Sequence, residues 1–283
     1  MKRPTRTTEP PERDPVQGFV RDIPESGLPE DLLALLLLDR TTGGNILWAA
    51  EGCGFAPDGE MLAEQISAPG KPVIRPRVDK PKEVRQNRVR KRAEVFTPSW
   101  LCRRMIDEPD KSLREASRGD FRAYIREPVL EIACGEAPFL AGRYDSVSGE
   151  MVPVPERSGL LDRKILAISK FCRKGQWLAH ALAAVRAVYG FEWQGDNLLI
   201  ARENILASVV EHYWWRWRGI ESTDIAAFPH PDFLRDTAEA VSWNLWQMDG
   251  IARTVPMTDT PCRIMDWATG RPISINTILG DLL

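Results

Sequence analysis

The sequence is poor in the residues that staple or metallate small proteins. It has three histidines, widely dispersed, and five cysteines (Cys53, Cys102, Cys134, Cys172, Cys262), odd in number and without CxxC spacing. Neither a disulfide framework nor a zinc site is expected from that pattern. No apolar run is long enough to span a bilayer. Leu32–Leu38 is the nearest to one, but it stops at Asp39-Arg40 and follows Pro29-Glu30-Asp31, a good helix start, so it reads as a buried helix. Met1–Asp14 is polar and proline-rich, which is not the pattern of a secretory signal. Strong charge of one sign is also missing: the net charge is −2, so any nucleic-acid-binding surface must be local. There is no phosphate-cradling lysine motif and no complete GxGxxG. These absences point to a reduced, cytoplasmic protein. With 283 residues, 43% of them hydrophobic and ten of them tryptophan, the chain has the material for one large α/β domain with or without an appendage.

Residues 1–28, rich in Pro, Arg, Glu and Thr, are expected to be a flexible leader. A helix, a Thr-Thr-Gly-Gly turn at 41–44 and a short strand Asn45–Trp48 should follow. Lys71–Arg104 is strongly basic, with four prolines at its start and a candidate helix over Lys82–Ala93. It is either a solvated charged face or a phosphate-contacting strip, in which Arg88, Arg90 and Arg92 are the candidate nucleic-acid contacts. In Glu94–Ile106, Thr97 is placed as an N-cap and Pro98 as the first helical residue.

The stretch Val129–Leu140 reads as a buried strand, an acid (Glu131), a tight turn at Gly135 and the start of a helix that continues over Phe139–Tyr144. A polar connection (145–158) then leads to helices over Leu160–Phe171 and Gln176–Val188. Tyr189–Trp193 is a second strand containing Glu192, followed by a helix over Asp196–Ala207. Trp243–Met248 is a third strand, closing on Asp249, and the tail holds Ile264–Trp267 and a polar turn. In a parallel sheet the C-terminal strand ends line one edge, where α/β folds bind ligands. Carboxylates there can accept protons from ribose hydroxyls or a purine amino group.

In this order the segments resemble the gamma-type adenine-N6 DNA methyltransferases of bacterial restriction–modification systems, over about residues 90–255. The family's Phe-Thr-Pro segment is matched by Phe96-Thr97-Pro98. Its Asp-Pro-Ala-Cys-Gly-Ser-Gly-Thr-Phe-Leu motif is matched without a gap by Glu131-Ile132-Ala133-Cys134-Gly135-Glu136-Ala137-Pro138-Phe139-Leu140. Gly190-Phe191-Glu192 with Ala201–Asn204, and more loosely Asn244–Gly250, match the next two elements. The resemblance implies an incomplete, Rossmann-like class I S-adenosylmethionine-dependent methyltransferase sheet over 94–283, with an α-rich appendage over 29–93. By carry-over, Phe96, Thr97 and Pro98 border the methionine end of S-adenosyl-L-methionine, and Ala133, Cys134 and Gly135 approach it with backbone. Glu192 holds the ribose, Asp249 contacts the adenine amino group, and Glu131 stands where the family has Asp. Ala137-Pro138 replaces Gly-Thr, removing a glycine that lets backbone approach the ligand.

The Asn/Asp-Pro-Pro-Tyr/Phe motif, with which the family binds and stacks the flipped base, occurs nowhere in the sequence. Only residues 250–283 follow Asp249, too few for the remaining strands and a target-recognition domain. The expectation is the cofactor-binding half of a split enzyme. A catalytic and target-recognition subunit would complete the open sheet edge, with Trp-rich 213–217 and 243–267 in the interface and double-stranded DNA bound by the complex. The alternative is a catalytically inactive methyltransferase-fold module that binds DNA or protein.

Overall fold

A computed structural model describes residues 28–50, 54–66, 74–92 and 94–279. The expected leader lies outside them apart from Leu28, as do residues 71–73 of the basic segment and the side chain of Arg92. The described chain is α/β. Three strands, β1 (Val129–Glu131), β2 (Val188–Glu192) and β3 (Leu245–Gln247), form a parallel sheet in the spatial order 1-2-3. Val129 stands opposite Val188, Glu131 opposite Gly190, and Glu192 opposite Gln247. A separate antiparallel hairpin, β4 (Arg263–Asp266) and β5 (Arg271–Ser274), forms at the polar turn of the tail.

Ten α-helices surround the sheet among the described residues. They are α1 (Glu30–Leu37), α2 (Ala63–Ile66), α3 (Lys82–Arg92), α4 (Ser99–Ala116), α5 (Phe121–Arg126), α6 (Leu160–Phe171), α7 (Lys174–Val185), α8 (Gly195–Arg218), α9 (Pro231–Asn244) and α10 (Ile275–Leu279). None is long and apolar enough to cross a membrane. The leucine run of α1 buries Leu32, Leu33, Leu36 and Leu37 in the same core as α8, α9 and β3. Ile46, Trp48, Met61, Ile66 and Ile74 join the same core. α8 is buried from Gly195 to Tyr213, and its start docks on the segment after α1. Gly195 N–H donates to the Trp48 carbonyl at 3.0 Å. A Cβ at Gly195 would lie 2.0 Å from the Leu47 carbonyl oxygen, so only glycine fits this approach.

One expectation fails here. No α-helix follows the turn at Gly135; residues 132–140 form successive turns in which Ala133, Gly135 and Ala137 have φ of +51°, +55° and +59°. Right-handed helix cannot propagate through such alternation. One helical bond survives, from Ala141 N–H to the Ala137 carbonyl, and the chain then detours through a bridge between Tyr144 and Met151. α6 takes over where the helix was expected, with Leu160 and Leu161 N–H donating to the Phe139 and Leu140 carbonyls. In the tryptophan-rich segments Trp214, Trp215, Trp217, Trp243 and Trp267 are half-buried. Trp246 is buried and Trp214, Trp217 and Trp267 pack against the core, because α8 continues as helix through Trp217. The exposed apolar side chains sit elsewhere, among them Val95, Trp100, Leu130 and Ile132.

Arg202, wholly buried in α8, joins three elements through main-chain carbonyls. It donates to Leu245 O at 2.9 Å, Leu36 O at 2.5 Å, Leu38 O at 3.0 Å and Ser242 O at 3.3 Å. Arg202→Leu leaves these buried acceptors unpaired and should lower the unfolding free energy by about 3–5 kcal/mol, measured by urea denaturation.

Candidate functional site

The parallel order of β1, β2 and β3 carries the acids at or beyond their C-terminal ends, Glu131, Glu192 and Asp249, to one edge of the sheet. They line a cleft of about 860 Å³ together with Phe96, Thr97, Ala133, Cys134 and Gly135. Pro98 does not line it. Pro98 is the N-cap of α4, one residue later than expected, and makes no side-chain cap. Thr97 contributes its carbonyl, which accepts from Ser146 Oγ at 2.9 Å and Cys102 Sγ at 3.3 Å. The cap of α4 comes from Asp145, whose Oδ2 accepts from Ser99 N–H at 2.7 Å and Ser99 Oγ at 2.8 Å. Burial opposes that charge, but these bonds and those from Ser148 and Val147 hold the carboxyl at about 2.

Glu192 organises the glycine turn. Its Oε2 accepts from Gly135 N–H at 2.9 Å and its Oε1 from Gln194 N–H at 3.1 Å. Gly135 is left-handed, and a Cβ there would come within 3.3 Å of the Phe96 ring, so the turn and the Phe-Thr-Pro segment pack through the missing side chain. Arg77 lies over the other part of this corner, 5.0 Å from the Phe96 ring centroid. Cys134 is buried and its N–H donates to the Phe191 carbonyl at 2.8 Å. Burial, reinforced by Glu131 and Glu192, pushes its thiol well above the ordinary range, which favours the protonated form of a small packed side chain. Ala137, buried, adopts a left-handed conformation without glycine's freedom, at a cost of about 1–2 kcal/mol.

The cleft is acidic. Burial raises Glu131 well above the carboxylate range despite the backbone amides of Phe139 and Leu140, and its Oε2 is buried without a hydrogen-bond partner. Asp249 Oδ1 accepts from Ile251 N–H at 2.8 Å and Ala252 N–H at 3.0 Å, fixing the loop after β3. Glu94, which the sequence did not single out, also lines the cleft; its Oε2 accepts from Gln194 Nε2 at 2.5 Å and Asn197 Nδ2 at 3.2 Å. Exposed Val95 (73%), Ile132 (71%) and Ile251 (96%) leave apolar surface at the cleft.

The basic segment does not act as one strip. Arg88 is 7% exposed and paired with Asp196 at 2.6 Å and Glu94 at 3.3 Å. Lys80 also pairs with Asp196, at 3.0 Å. Arg88 is thus an internal clamp with no face left for a phosphate. Arg90 is exposed and lines the cleft with Lys91. Asn204, from the fourth residue of Ala201–Asn204, supports the turn from behind: its Nδ2 donates to Glu136 O at 2.9 Å and to Tyr144 Oη at 3.2 Å. Asn244 does not reach the cleft; it donates to Val185 O at 3.1 Å and Val188 O at 2.9 Å. No family model, curated protein or solved structure matches this chain.

Burial pushes Glu192 up to about 7 against the backbone bonds from Gln194 and Gly135, and the nearby Glu94 and Asp196 reinforce the rise. Between its unfolded value near 4.5 and about 7, the folded state holds a proton that the unfolded state has lost. The contribution of Glu192 to stability therefore falls as pH rises through that window, by about 3 kcal/mol in all. Urea denaturation of wild type and Glu192→Gln at pH 5 and pH 8 should show the wild type losing this much relative to the variant.

Proposed function

We propose that this chain is the S-adenosylmethionine-binding subunit of a DNA adenine-N6 methyltransferase, built on an incomplete Rossmann-like class I sheet. The observation that supports this most is convergence. Phe96-Thr97, Glu131–Gly135, Glu192 and Asp249 are far apart in sequence yet line a single cleft at the C-terminal edge of the sheet. The cleft's chemistry suits the cofactor. Its volume is that of a site for a small organic ligand. Its carboxylates favour a molecule carrying a sulfonium and an ammonium, and the orphaned Glu131 oxygen is relieved by a nearby cation. Each Glu192 oxygen keeps a lone pair for a ribose hydroxyl beyond its backbone bond. Asp249 stands to accept from the adenine amino group, with Ile132 and Ile251 offering apolar surface to the base. The turn at Gly135 and Phe96-Thr97 then border the methionine end. When bound, the cofactor supplies an electrophilic methyl group.

Base binding and the Asn-Pro-Pro-Tyr chemistry are assigned to a second subunit. β1 is an edge strand: Val129 N–H donates to Ala187 O, so by strand alternation Leu130 turns its N–H and carbonyl away from β2. Leu130 and Ile132 are exposed beside that free edge, which a partner strand can extend. The strained Ala137 in place of glycine favours a second reading, an inactive methyltransferase-fold module that has kept the cleft.

Calorimetry tests the cleft, and methylation with a partner separates the two readings. The chain alone should bind S-adenosylmethionine, and Glu192→Ala should weaken binding by at least about 30-fold, the loss of two charge-assisted hydrogen bonds. Because hydroxyl donors favour the ionised carboxylate, affinity should rise with pH up to about 7 and be pH-independent above it, with proton release on binding below. Alone the chain should methylate nothing. Co-expression with a subunit bearing Asn-Pro-Pro-Tyr should yield adenine methylation of duplex DNA. Absence of cofactor binding both alone and with that subunit overturns the proposal.

A further inference from the structure

The basic stretch singled out in the sequence spends Lys80 and Arg88 internally, but unneutralised positive charge collects on another surface. α5 and the corner between α6 and α7 expose Arg122, Arg126, Lys170, Arg173 and Lys174. None of the five has an ion-pair partner among the described residues, whereas Arg114, Arg143, Arg157 and Arg163 all do. An aromatic plate brings the helices together. Phe121 of α5 stacks on Phe171 at the end of α6, with centroids 5.3 Å apart and planes at 24°, and takes His180 of α7 edge-on at 5.7 Å. The Arg122 guanidinium lies 5.2 Å from the Phe121 centroid, and Lys170 Nζ lies 5.4 Å from that of Phe171. Burial lowers the pKa of the His180 imidazole, and the charges of Arg126 and Arg122 lower it further. Asp120 at the start of α5 is committed to its own helix, accepting from Arg122 N–H at 2.9 Å.

We propose that this α5–α7 corner is a contact surface for the sugar–phosphate backbone of double-stranded DNA. Unpaired cations clustered on a chain of net charge −2 make a local site for a polyanion, with no global attraction behind it. The ring faces argue for duplex over single strand. Phe121 is half-buried against Phe171 and carries Arg122, so of this pair only Phe171, 58% exposed, is open to an unpaired base, whereas single-strand binders present a row of stacking faces. What remains is a set of point charges suited to phosphates, which position a protein without reading sequence. The surface stands on these side chains and not on the cleft, so it is tested without cofactor.

The probe is a fluorescein-labelled duplex of arbitrary sequence, followed by anisotropy with the full chain. Five phosphate contacts predict a slope of about −4.5 in log affinity against log salt, a loss of about 500-fold between 50 and 200 mM. The exposed triple variant R122Q/K170Q/R173Q should reduce the slope by about 2.7. R126Q/K174Q should reduce it by about 1.8, and R263Q/R271Q, on the β4–β5 hairpin, should leave it unchanged. Circular dichroism and urea denaturation of the same variants show that they are folded, which keeps this result distinct from the fate of the cleft. Three outcomes overturn the proposal: no duplex binding at 50 mM salt, a slope unaffected by either α5–α7 variant, or preferential binding of single-stranded DNA or of anionic lipid vesicles.

Discussion

Everything in this molecule is arranged around the burial of α8. A helix hidden from Gly195 to Tyr213 cannot leave its polar side chains to water, yet it carries Asp196, Asn197, Arg202, Asn204, Ser208, Glu211 and His212. These groups are partnered, and the partners come from nearly every other element; the exception on α8 is Glu203, whose two buried oxygens have no hydrogen-bond partner and whose pKa burial raises well above the carboxylate range. Asp196 and Asn197 take Lys80 and Arg88 from the α3 region. Arg202 ties α1, α9 and β3 by their carbonyls. Ser208 and His212 hold Asp162 of α6, at 2.7 and 2.9 Å. Glu211 pairs with Arg143 and Arg157 of the long connection, and although burial opposes its charge these two arginines keep it at about 2. The constraint is stronger than a hydrophobic core alone, since each bond demands one partner in one place.

Seen from α8, the cleft is the front of a structure braced from behind. Asn204 grips the glycine turn through Glu136 O, and Tyr144 Oη donates to Glu136 Oε2 at 2.6 Å while Arg77 N–H donates to Oε1 at 2.5 Å. These bonds hold three left-handed residues in five positions, two of them alanine. The strain of order 1–2 kcal/mol at each alanine is offset by buried hydrogen bonds that exist only in this conformation. The turn is therefore shaped before any ligand arrives.

Local pattern made part of this legible. The amphipathic spacing of Leu160–Phe171 gives α6 its observed bounds, and the apolar runs closing on Glu131 and Glu192 mark β1 and β2. The acids at one sheet edge follow from parallel order, so the cleft's floor was readable. What was not readable depends on partners remote in sequence. Arg88 looks like a surface cation until Asp196, 108 residues away, is placed beside it. Asp145 caps α4 from 46 residues downstream, where no capping signature reaches. The full length of α8 was hidden because a helix buried all round shows no apolar stripe, so its Trp-rich end read as a separate segment. The helix expected after Gly135 fails because a continuous apolar pattern says nothing of φ at Ala133 and Ala137.

Glu192 joins these levels. The bond from Gly135 N–H to its Oε2 ties the end of β2 to the turn after β1. The carboxylate that shapes the turn is also the one whose ionisation burial suppresses, rising to about 7. Two backbone donors are too few to compensate a buried charge beside Glu94 and Asp196, so the site is short of donors rather than acceptors. A ligand rich in hydroxyl or cationic groups supplies what the protein lacks there. One bringing further acceptors, such as a bare phosphate, meets carboxylates instead of the backbone N–H cradle of a nucleotide loop. The geometry that braces the fold thus also sets which ligand chemistry the cleft would favour, because both draw on the same two oxygens.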